Sequence, residues 1–232
     1  MKVIEIFRSV QGEGKYMGMN AVFLRLWGCN LACEGCDTKW QMEQGYIEMR
    51  PSEVESEIRK FGEPKNLVIT GGEPLLQWNE LWQIVLNLYK SGWSLHVETN
   101  GTVPIPEKEV KKFTCITVSP KKNALKWNVL KYWSKFSNVI WKFVVSTRRK
   151  KNPAWTWNSA NEIERMIQDL GLRRENVYLM PFGDNCNALR EEGERTYWMA
   201  LQLGVNYSDR IQIRLFRRSW RKEGKGKVRA YE

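Results

Sequence analysis

Short apolar runs alternate with longer amphipathic segments from near residue 21 to near residue 215. Runs rich in β-branched and aromatic residues predict buried strands, and apolar positions at helical spacing predict helices. The predicted strands are residues 21–27, 66–70, 94–98, 114–119, 139–145, 177–180 and, more weakly, 210–215. The predicted helices are residues 51–61, 78–91, 124–136, 159–170 and 188–203. This alternation indicates repeated β/α units, in which helices cover a parallel sheet.

Glycine and proline clusters follow most of these strands. They lie at Gly28, at residues 71–74, 100–101 and 119–120, and at residues 181–183. Ligands bind at the carboxyl ends of parallel strands, so the chemistry is expected on one rim. About six parallel strands, instead of eight, predict an α/β fold of the incomplete TIM-like barrel type. We expect one domain over residues 1–216, followed by a basic tail over residues 217–232.

Composition agrees with a folded globular chain. Hydrophobic residues make up 42% of the 232 positions and charged residues 27%, which is ordinary globular usage. No run approaches the ~18 apolar residues of a membrane span, and five cysteines, three of them within eight positions, suit metal binding in a reducing compartment. A cytoplasmic location without membrane contact is therefore expected.

The net charge of +11 is unevenly spread, since residues 214–232 carry eight basic and two acidic side chains. Such clusters can attract nucleic acid or an acidic protein face. Solvated charge is the more common role of a basic run, and it is the interpretation favoured here.

The most specific motif is a C-x3-C-x2-C loop directly after the first predicted strand, formed by Cys29, Cys33 and Cys36. A structural zinc site normally has a fourth Cys or His ligand, but His96, the chain's one histidine, lies within a predicted strand. Three cysteines can instead hold a [4Fe-4S] cluster and leave one iron open. In radical chemistry that iron binds S-adenosylmethionine, which an electron then cleaves to a 5′-deoxyadenosyl radical. The alternatives are a zinc knuckle and three incidental cysteines.

A second motif, Gly71-Gly72-Glu73-Pro74, follows the strand predicted at residues 66–70. Small residues let a backbone approach a ligand closely, and a carboxylate can receive an ammonium group. Alone it would indicate only a turn. Together with the cysteine loop, it resembles the radical-enzyme signature that contacts the methionine amino group.

Several further segments resemble the 7-carboxy-7-deazaguanine synthase family, in the same order, over roughly residues 4–183. They are residues 5–14 (EIFRSVQGEG), 23–30 (FLRLWGCN), 36–38 (CDT), 70–74 (TGGEP), 98–102 (ETNGT), 117–121 (TVSPK) and 179–181 (LMP). The resemblance implies a radical lyase that rearranges 6-carboxy-5,6,7,8-tetrahydropterin into 7-carboxy-7-deazaguanine with loss of ammonia, in the biosynthesis of 7-deazapurines such as queuosine. It also implies a [4Fe-4S] cluster, S-adenosylmethionine, Mg²⁺, a flavodoxin or ferredoxin as electron donor, and a homodimer.

Family position implies a set of site residues. For S-adenosylmethionine these are Gly71, Gly72, Glu73, Glu98, Asn100, Ser119 and Lys121. For Mg²⁺ they are Asp37 and Thr38, whose oxygens suit this metal but are also common in turns and helix caps. For the substrate they are Gln11, Glu13, Gly14, Arg25, Thr70 and Arg214.

The substrate set makes chemical sense. Gln11 and Glu13 could pair with the donor and acceptor edge of a pterin, and Arg25 could bind the substrate carboxylate, although a structural ion pair is the alternative. The family often has Gln-x-His near its C-terminus, where this chain has Gln212-Ile213-Arg214. Arg214 is therefore expected to contact the substrate in place of that histidine.

Two other functions stay open on the residues alone. A glycyl-radical-enzyme activating protein shares the cysteine loop and the partial barrel, but it has no need of Gln11 and Glu13. A zinc-containing nucleic-acid-binding module would use the basic tail.

Overall fold

The computed structural model describes residues 1–36, 38–147 and 153–216. The strands of these parts are β1 (Lys2–Val10), β2 (Asn20–Leu26), β3 (Ile47–Glu48), β4 (Asn66–Gly71), β5 (Ser94–Thr99), β6 (Cys115–Val118), β7 (Val139–Val145), β8 (Val177–Pro181) and β9 (Asn206–Tyr207). The α-helices are α1 (Lys39–Glu43), α2 (Pro51–Lys60), α3 (Trp78–Lys90), α4 (Glu107–Val110), α5 (Trp127–Trp133), α6 (Ala160–Leu170), α7 (Cys186–Leu203) and α8 (Ile211–Phe216). No helix in these ranges has the length and apolar character needed to cross a membrane.

All nine strands in the described ranges belong to one sheet, in the order β3-β1-β2-β4-β5-β6-β7-β8-β9. From β2 to β9 the neighbouring strands are parallel, whereas β1 runs antiparallel to β2 and β3 runs antiparallel to β1. The predicted α/β fold with an unclosed, mostly parallel sheet is confirmed. The parallel part has seven strands, because the two-residue β9 adds to the six expected.

The prediction of a strand at residues 210–215 is wrong, because residues 211–216 form α8. In this segment the Arg214 N–H donates to the Arg210 carbonyl, the spacing of an α-helical turn. Ile213 is the buried residue of α8, so one helical turn buries the apolar side chain without an alternating strand face.

The two faces of the sheet have different roles. The main core contains Leu24, Ile69 and Phe143 together with apolar residues of the helices. Successive side chains of a strand point to opposite faces, so the neighbouring residues Arg25, Thr70 and Lys142 face the concave side. That side is therefore polar near the carboxyl ends of the strands.

The loop after β1 covers this concave side. Because β1 is antiparallel to β2, its carboxyl end lies at the edge opposite to the cysteine loop. The Tyr16 ring packs edge-on against His96 of β5, with ring centroids 4.6 Å apart. The Gly14 N–H donates to Ser208 Oγ at 2.7 Å, and the Gly12 carbonyl accepts from the Ile211 N–H at 3.1 Å. The loop after β1 is thus attached to the segment that follows β9.

Candidate active site

A cavity of about 360 Å³ opens at the carboxyl ends of the parallel strands. Twelve of the residues predicted from the sequence line it: Glu13, Cys29, Cys33, Cys36, Thr38, Thr70, Gly71, Gly72, Glu98, Asn100, Ser119 and Lys121. They come from five separate segments, so the order of the strands brings together groups far apart in sequence. Apart from Glu13, which comes from the loop after β1, these residues lie at or just after the carboxyl ends of β2, β4, β5 and β6, the edge predicted from the sequence.

The three cysteines of the loop after β2 are free thiols and are partly buried. The Leu31 N–H and the Asn100 amide donate to Cys29 Sγ at 3.4 and 3.9 Å. Burial raises the pKa of the Cys29 and Cys33 thiols, and bound iron would supply the positive charge that stabilises thiolates. Within the ranges that are described, no three Cys, His, Asp or Glu side chains could share one metal ion, and a cubane does not need this because each thiolate binds its own iron. These thiols suit an iron–sulfur cluster.

Close backbone packing holds the turn after β4 against the cysteine loop. The Glu73 N–H donates to the Gly28 carbonyl at 2.8 Å, and the Gly72 N–H donates to the Leu26 carbonyl at 3.1 Å. A Cβ at position 72 would lie 2.5 Å from the Gly28 carbonyl carbon and 3.1 Å from Cys29 Cβ. Glycine is required at position 72 because the two backbones touch there.

The Glu73 carboxylate lies behind the cavity wall, and the side chain is 1% exposed. It accepts hydrogen bonds from the Leu75 N–H at 3.1 Å, the Asn100 N–H at 2.7 Å and Thr99 Oγ1 at 2.9 Å. Burial raises the pKa of Glu73 to about 7, although these hydrogen bonds oppose the shift. Glu73 therefore ties the turn after β4 to the end of β5, and the structure does not bring its side chain into the cavity.

Asn100 continues this network into the cysteine loop. Its amide nitrogen donates to Asn30 Oδ1 at 3.0 Å, and its oxygen accepts from the N–H and hydroxyl of Thr102. Asn30 in turn donates to Thr102 Oγ1 at 2.8 Å. The cysteine loop is thereby fixed to the end of β5 by side-chain amides.

A charged network borders the cavity, centred on Glu13. Glu13 Oε2 lies 2.6 Å from Lys142 Nζ, and Oε1 accepts from Arg210 Nε at 3.0 Å and from the Gln212 amide at 2.7 Å. Burial alone would raise the pKa of Glu13, but the charges of Lys142 and Arg210 outweigh it and hold that pKa well below its usual range. Glu98 joins this network, because its Oε1 lies 3.6 Å from Lys142 Nζ. The lowered pKa of Glu13 and the raised pKa of Lys142 keep these two partners charged at neutral pH.

Four predicted substrate residues lie outside the cavity wall. Gln11 is buried and donates to Glu98 Oε1 at 3.3 Å, and Gly14 contacts Ser208 as described. Arg25 Nε lies 2.7 Å from Glu5 Oε1 of β1, and Arg214 Nε lies 3.0 Å from Asp209 Oδ2. The structure thus places Arg25 in the ion pair that was the alternative to substrate contact, and it does not bring Arg214 to the cavity. Asp37 lies outside the described residues.

Sequence reasoning missed three residues of this site: Lys142, Arg210 and Trp155 all line the cavity. Lys142 could have been recognised from the sequence, because it is the one charged residue in the otherwise apolar run of β7. The Trp155 ring lies 4.9 Å from Lys121 Nζ, and its indole N–H donates to the Glu34 carbonyl at 2.7 Å. No local pattern marked Arg210 or Trp155.

Comparison with known proteins shows first to which superfamily the fold and the cysteine loop belong. Residues 27–118 match the family described as the radical SAM superfamily. The chain resembles the crystal structure of QueE from Escherichia coli with a TM-score of 0.64 over 90% of this chain and 92% of that one, at 24% sequence identity. It also resembles Streptococcus suis SuiB with a TM-score of 0.52, over 79% of this chain and 46% of that one, at 13% identity. The protein is a radical S-adenosylmethionine enzyme by fold and by motif.

Curated relatives then give the family. The 7-carboxy-7-deazaguanine synthase of Hyperthermus butylicus is 32% identical over 92% of each chain. The enzyme of that name from Pyrobaculum aerophilum is 34% identical over 92% of this chain and 93% of its own length. The chain belongs to the 7-carboxy-7-deazaguanine synthase family of radical lyases, which act in 7-deazapurine biosynthesis. Membership implies a [4Fe-4S] cluster and S-adenosylmethionine as cofactors, and it sets aside the glycyl-radical and zinc alternatives.

Proposed function

We propose that the chain converts 6-carboxy-5,6,7,8-tetrahydropterin into 7-carboxy-7-deazaguanine and ammonia. The observation that carries this is one cavity with two different groups of residues, three thiols on the rim and a buried network of carboxylates and cations beside them. When bound, the cluster and S-adenosylmethionine supply the carbon radical that removes a hydrogen atom from the substrate. The residues of the chain bind both molecules and hold their reacting atoms together.

The residues proposed to bind the cluster and S-adenosylmethionine are assigned by their positions on the cavity wall. Cys29, Cys33 and Cys36 hold the cluster in this proposal. Gly71 and Gly72 offer backbone that a methionine moiety can approach closely, with Glu73 fixing that turn from behind. Asn100, Ser119 and Lys121 offer polar contacts for the rest of S-adenosylmethionine, whereas Glu98, which was predicted from the sequence to contact this cofactor, is proposed for the substrate because it belongs to the charged network. Ser119 Oγ accepts from Lys121 Nζ at 2.9 Å, which orients both side chains at the wall.

The substrate would lie over the charged network. Glu13 and Glu98 are hydrogen-bond acceptors for the amino and N–H edge of the pterin, because a carboxylate has about four acceptor sites. Thr70 Oγ1 donates to Glu98 Oε2 at 2.9 Å and fixes its orientation. Arg210 supplies positive charge for the substrate carboxylate, a role that was predicted from the sequence for Arg25. Gln11 and Gly14 do not contact the substrate in this proposal. Gln11 holds Glu98 in place, and Gly14 holds the loop after β1 against Ser208.

Mg²⁺ would be held at Thr38, which is buried and lies on the cavity wall, with Asp37 beside it in sequence. A hydroxyl oxygen and a carboxylate suit this ion, which keeps several of its other ligands from water or substrate.

The organisation of the chain belongs to the same proposal. We infer one domain over residues 1–216 with a basic tail over residues 217–232, a homodimer in the cytoplasm, and a flavodoxin or ferredoxin as reductant. Family membership supports a small-molecule substrate and the need for a reductant.

The test is anaerobic reconstitution of the full chain with iron and sulfide. The protein is then incubated with dithionite, S-adenosylmethionine, Mg²⁺ and the carboxytetrahydropterin, and the products are identified by mass spectrometry. We expect 7-carboxy-7-deazaguanine from the wild type and none from Cys36→Ala treated in the same way. The proposal fails if the wild type forms 5′-deoxyadenosine but no 7-carboxy-7-deazaguanine.

A further inference from the structure

A lysine lies inside the sheet. Lys142 occupies the middle of β7, whose seven residues are all buried, and is itself 5% exposed. Its neighbours Trp141 and Phe143 belong to the main core, so Lys142 faces the concave side and reaches the cavity. An ammonium group removed from water is unfavourable unless anionic partners compensate for it. The partners of Lys142 therefore indicate its role.

Those partners are two carboxylates from different elements. Lys142 Nζ lies 2.6 Å from Glu13 Oε2, in the loop after β1, and 3.6 Å from Glu98 Oε1, near the end of β5. Gln11 joins the same two residues, since its amide nitrogen donates to Glu98 Oε1 at 3.3 Å and its oxygen accepts from the Glu13 N–H at 3.2 Å. Lys142 thus contacts both carboxylates, and Gln11 links the Glu98 carboxylate to the backbone of Glu13.

We propose that Lys142 is a positioning residue that keeps Glu13 and Glu98 charged and adjacent, as a paired acceptor for the amino and N–H edge of the substrate. This inference deepens the proposed function and rests on it. Glu13 and Glu98 are the groups that would touch the substrate, and Lys142 acts through them.

Charge balance shows why the lysine is needed. Two carboxylates, Glu13 and Glu98, face two cations, Lys142 and Arg210. Burial opposes the charge on Lys142, but Glu13 and Glu98 outweigh it and raise the pKa of Lys142. Without Lys142, two partly buried carboxylates would share one guanidinium, and the pKa of at least one of them would rise.

A protonated carboxyl donates a hydrogen bond where the substrate also presents a donor. The acceptor pair would then be lost although neither glutamate had been changed. Among the residues that the structure describes, the other titratable groups acting on this pair include His96 and Cys115, which interact with Glu98, and Lys121, which interacts with Glu13.

Lys142→Met in the reconstituted enzyme tests the proposal. Its control is Lys60→Met on α2, which removes a lysine from an exposed pair with Glu57. Steady-state kinetics at pH 6.5–8.5 should show a KM for the carboxytetrahydropterin raised about 10- to 100-fold near neutral pH in Lys142→Met, the range expected for a lost hydrogen bond to a charged group. That KM should fall as pH rises and the carboxylates regain their charge. Iron content and kcat should stay close to those of the wild type, in which KM should be flat with pH.

Four results separate the explanations. A KM within about twofold of the wild type would overturn the role of Lys142, and so would a rise that does not change with pH and accompanies loss of iron. Lys142→Arg keeps the positive charge and should hold KM within about threefold; a tenfold rise there would also overturn the proposal, and this variant decides the matter if Lys142→Met does not fold. A wild-type enzyme that makes no 7-carboxy-7-deazaguanine would overturn the proposed function itself.

Discussion

Replacing Gly72 by alanine tests the packing of the turn after β4 against the cysteine loop. The new Cβ would lie 2.5 Å from the Gly28 carbonyl carbon, and it cannot be accommodated by rotating a flexible side chain because the obstacle is backbone. Overpacking of this kind costs about 1–3 kcal/mol. Separating the two backbones would also weaken the hydrogen bond from the Glu73 N–H to the Gly28 carbonyl, worth about 1 kcal/mol. We therefore expect Gly72→Ala to lose about 2–4 kcal/mol of unfolding free energy.

The assay has two parts, urea unfolding of the metal-free protein followed by circular dichroism, and iron and sulfide analysis after anaerobic reconstitution. The free energy of unfolding and the iron and sulfide content should both fall in Gly72→Ala, because displacing Gly28 also displaces Cys29. Gly193→Ala on α7 is the control, since its Cβ would meet only the side-chain ends of Tyr207 and Arg214, at 3.3 and 3.4 Å, and alanine favours a helix. It should stay within about 1 kcal/mol of the wild type. Wild-type stability together with full iron content in Gly72→Ala would refute the packing argument.

Three further predictions concern the site. Cys33→Ala should lose cluster iron and the cleavage of S-adenosylmethionine together, measured by iron analysis and chromatography; persistent 5′-deoxyadenosine would contradict the ligand assignment. Arg210→Met should raise the KM for the pterin more than Arg214→Ala does, because Arg210 pairs with Glu13 and Arg214 pairs with Asp209; kinetics showing the reverse order would favour Arg214 as the contact. Lys142 and Arg210 outweigh burial and hold the pKa of Glu13 below its ordinary value of 4.5, so Glu13 stabilises the fold above about pH 4.5 and this contribution is lost as pH falls. The free energy of unfolding, measured with urea between pH 3 and 6, should fall less steeply with decreasing pH in Glu13→Gln than in the wild type. An equally steep fall in both proteins would refute this linkage.

Much of the sheet was predictable because parallel strands buried on both faces leave continuous apolar runs. The predicted strand at residues 139–145 coincides with β7, and those at residues 66–70 and 94–98 each end one residue short of β4 and β5. β1 was not predicted as a strand. Its pairing with β2 shifts register between Val3 and Glu5, and such an irregularity disturbs the two-residue period by which a half-buried strand is recognised.

The candidate site also contains residues that could be predicted from the sequence and residues that could not. Cys29, Cys33 and Cys36 were predictable because a cluster loop is local in sequence, and Gly72 because a strand end with adjacent glycines is local too. The partners of Glu13 were not. Arg210 lies 197 residues from Glu13 and Gln212 lies 199 residues away, and a contact at that separation leaves no periodicity or spacing to read. Nor does sequence alone give the direction of a side chain, which is why Arg214 was expected where Arg210 lies.

The separation between Glu13 and its partners also bears on how the protein is made. Synthesis proceeds from the N-terminus, so the cysteine loop and most of the parallel sheet exist before residues 210–212 leave the ribosome. Contacts of such long range are costly to form early, because the intervening chain loses entropy when its ends meet. Glu13 therefore cannot pair with Arg210 until the strands that lie between them in sequence have been synthesised. A chain that stopped short of Arg210 would keep the cluster ligands and most of the sheet but would lack the guanidinium and the amide that Glu13 binds, so the charged network is completed only after residues 210–212 have been synthesised.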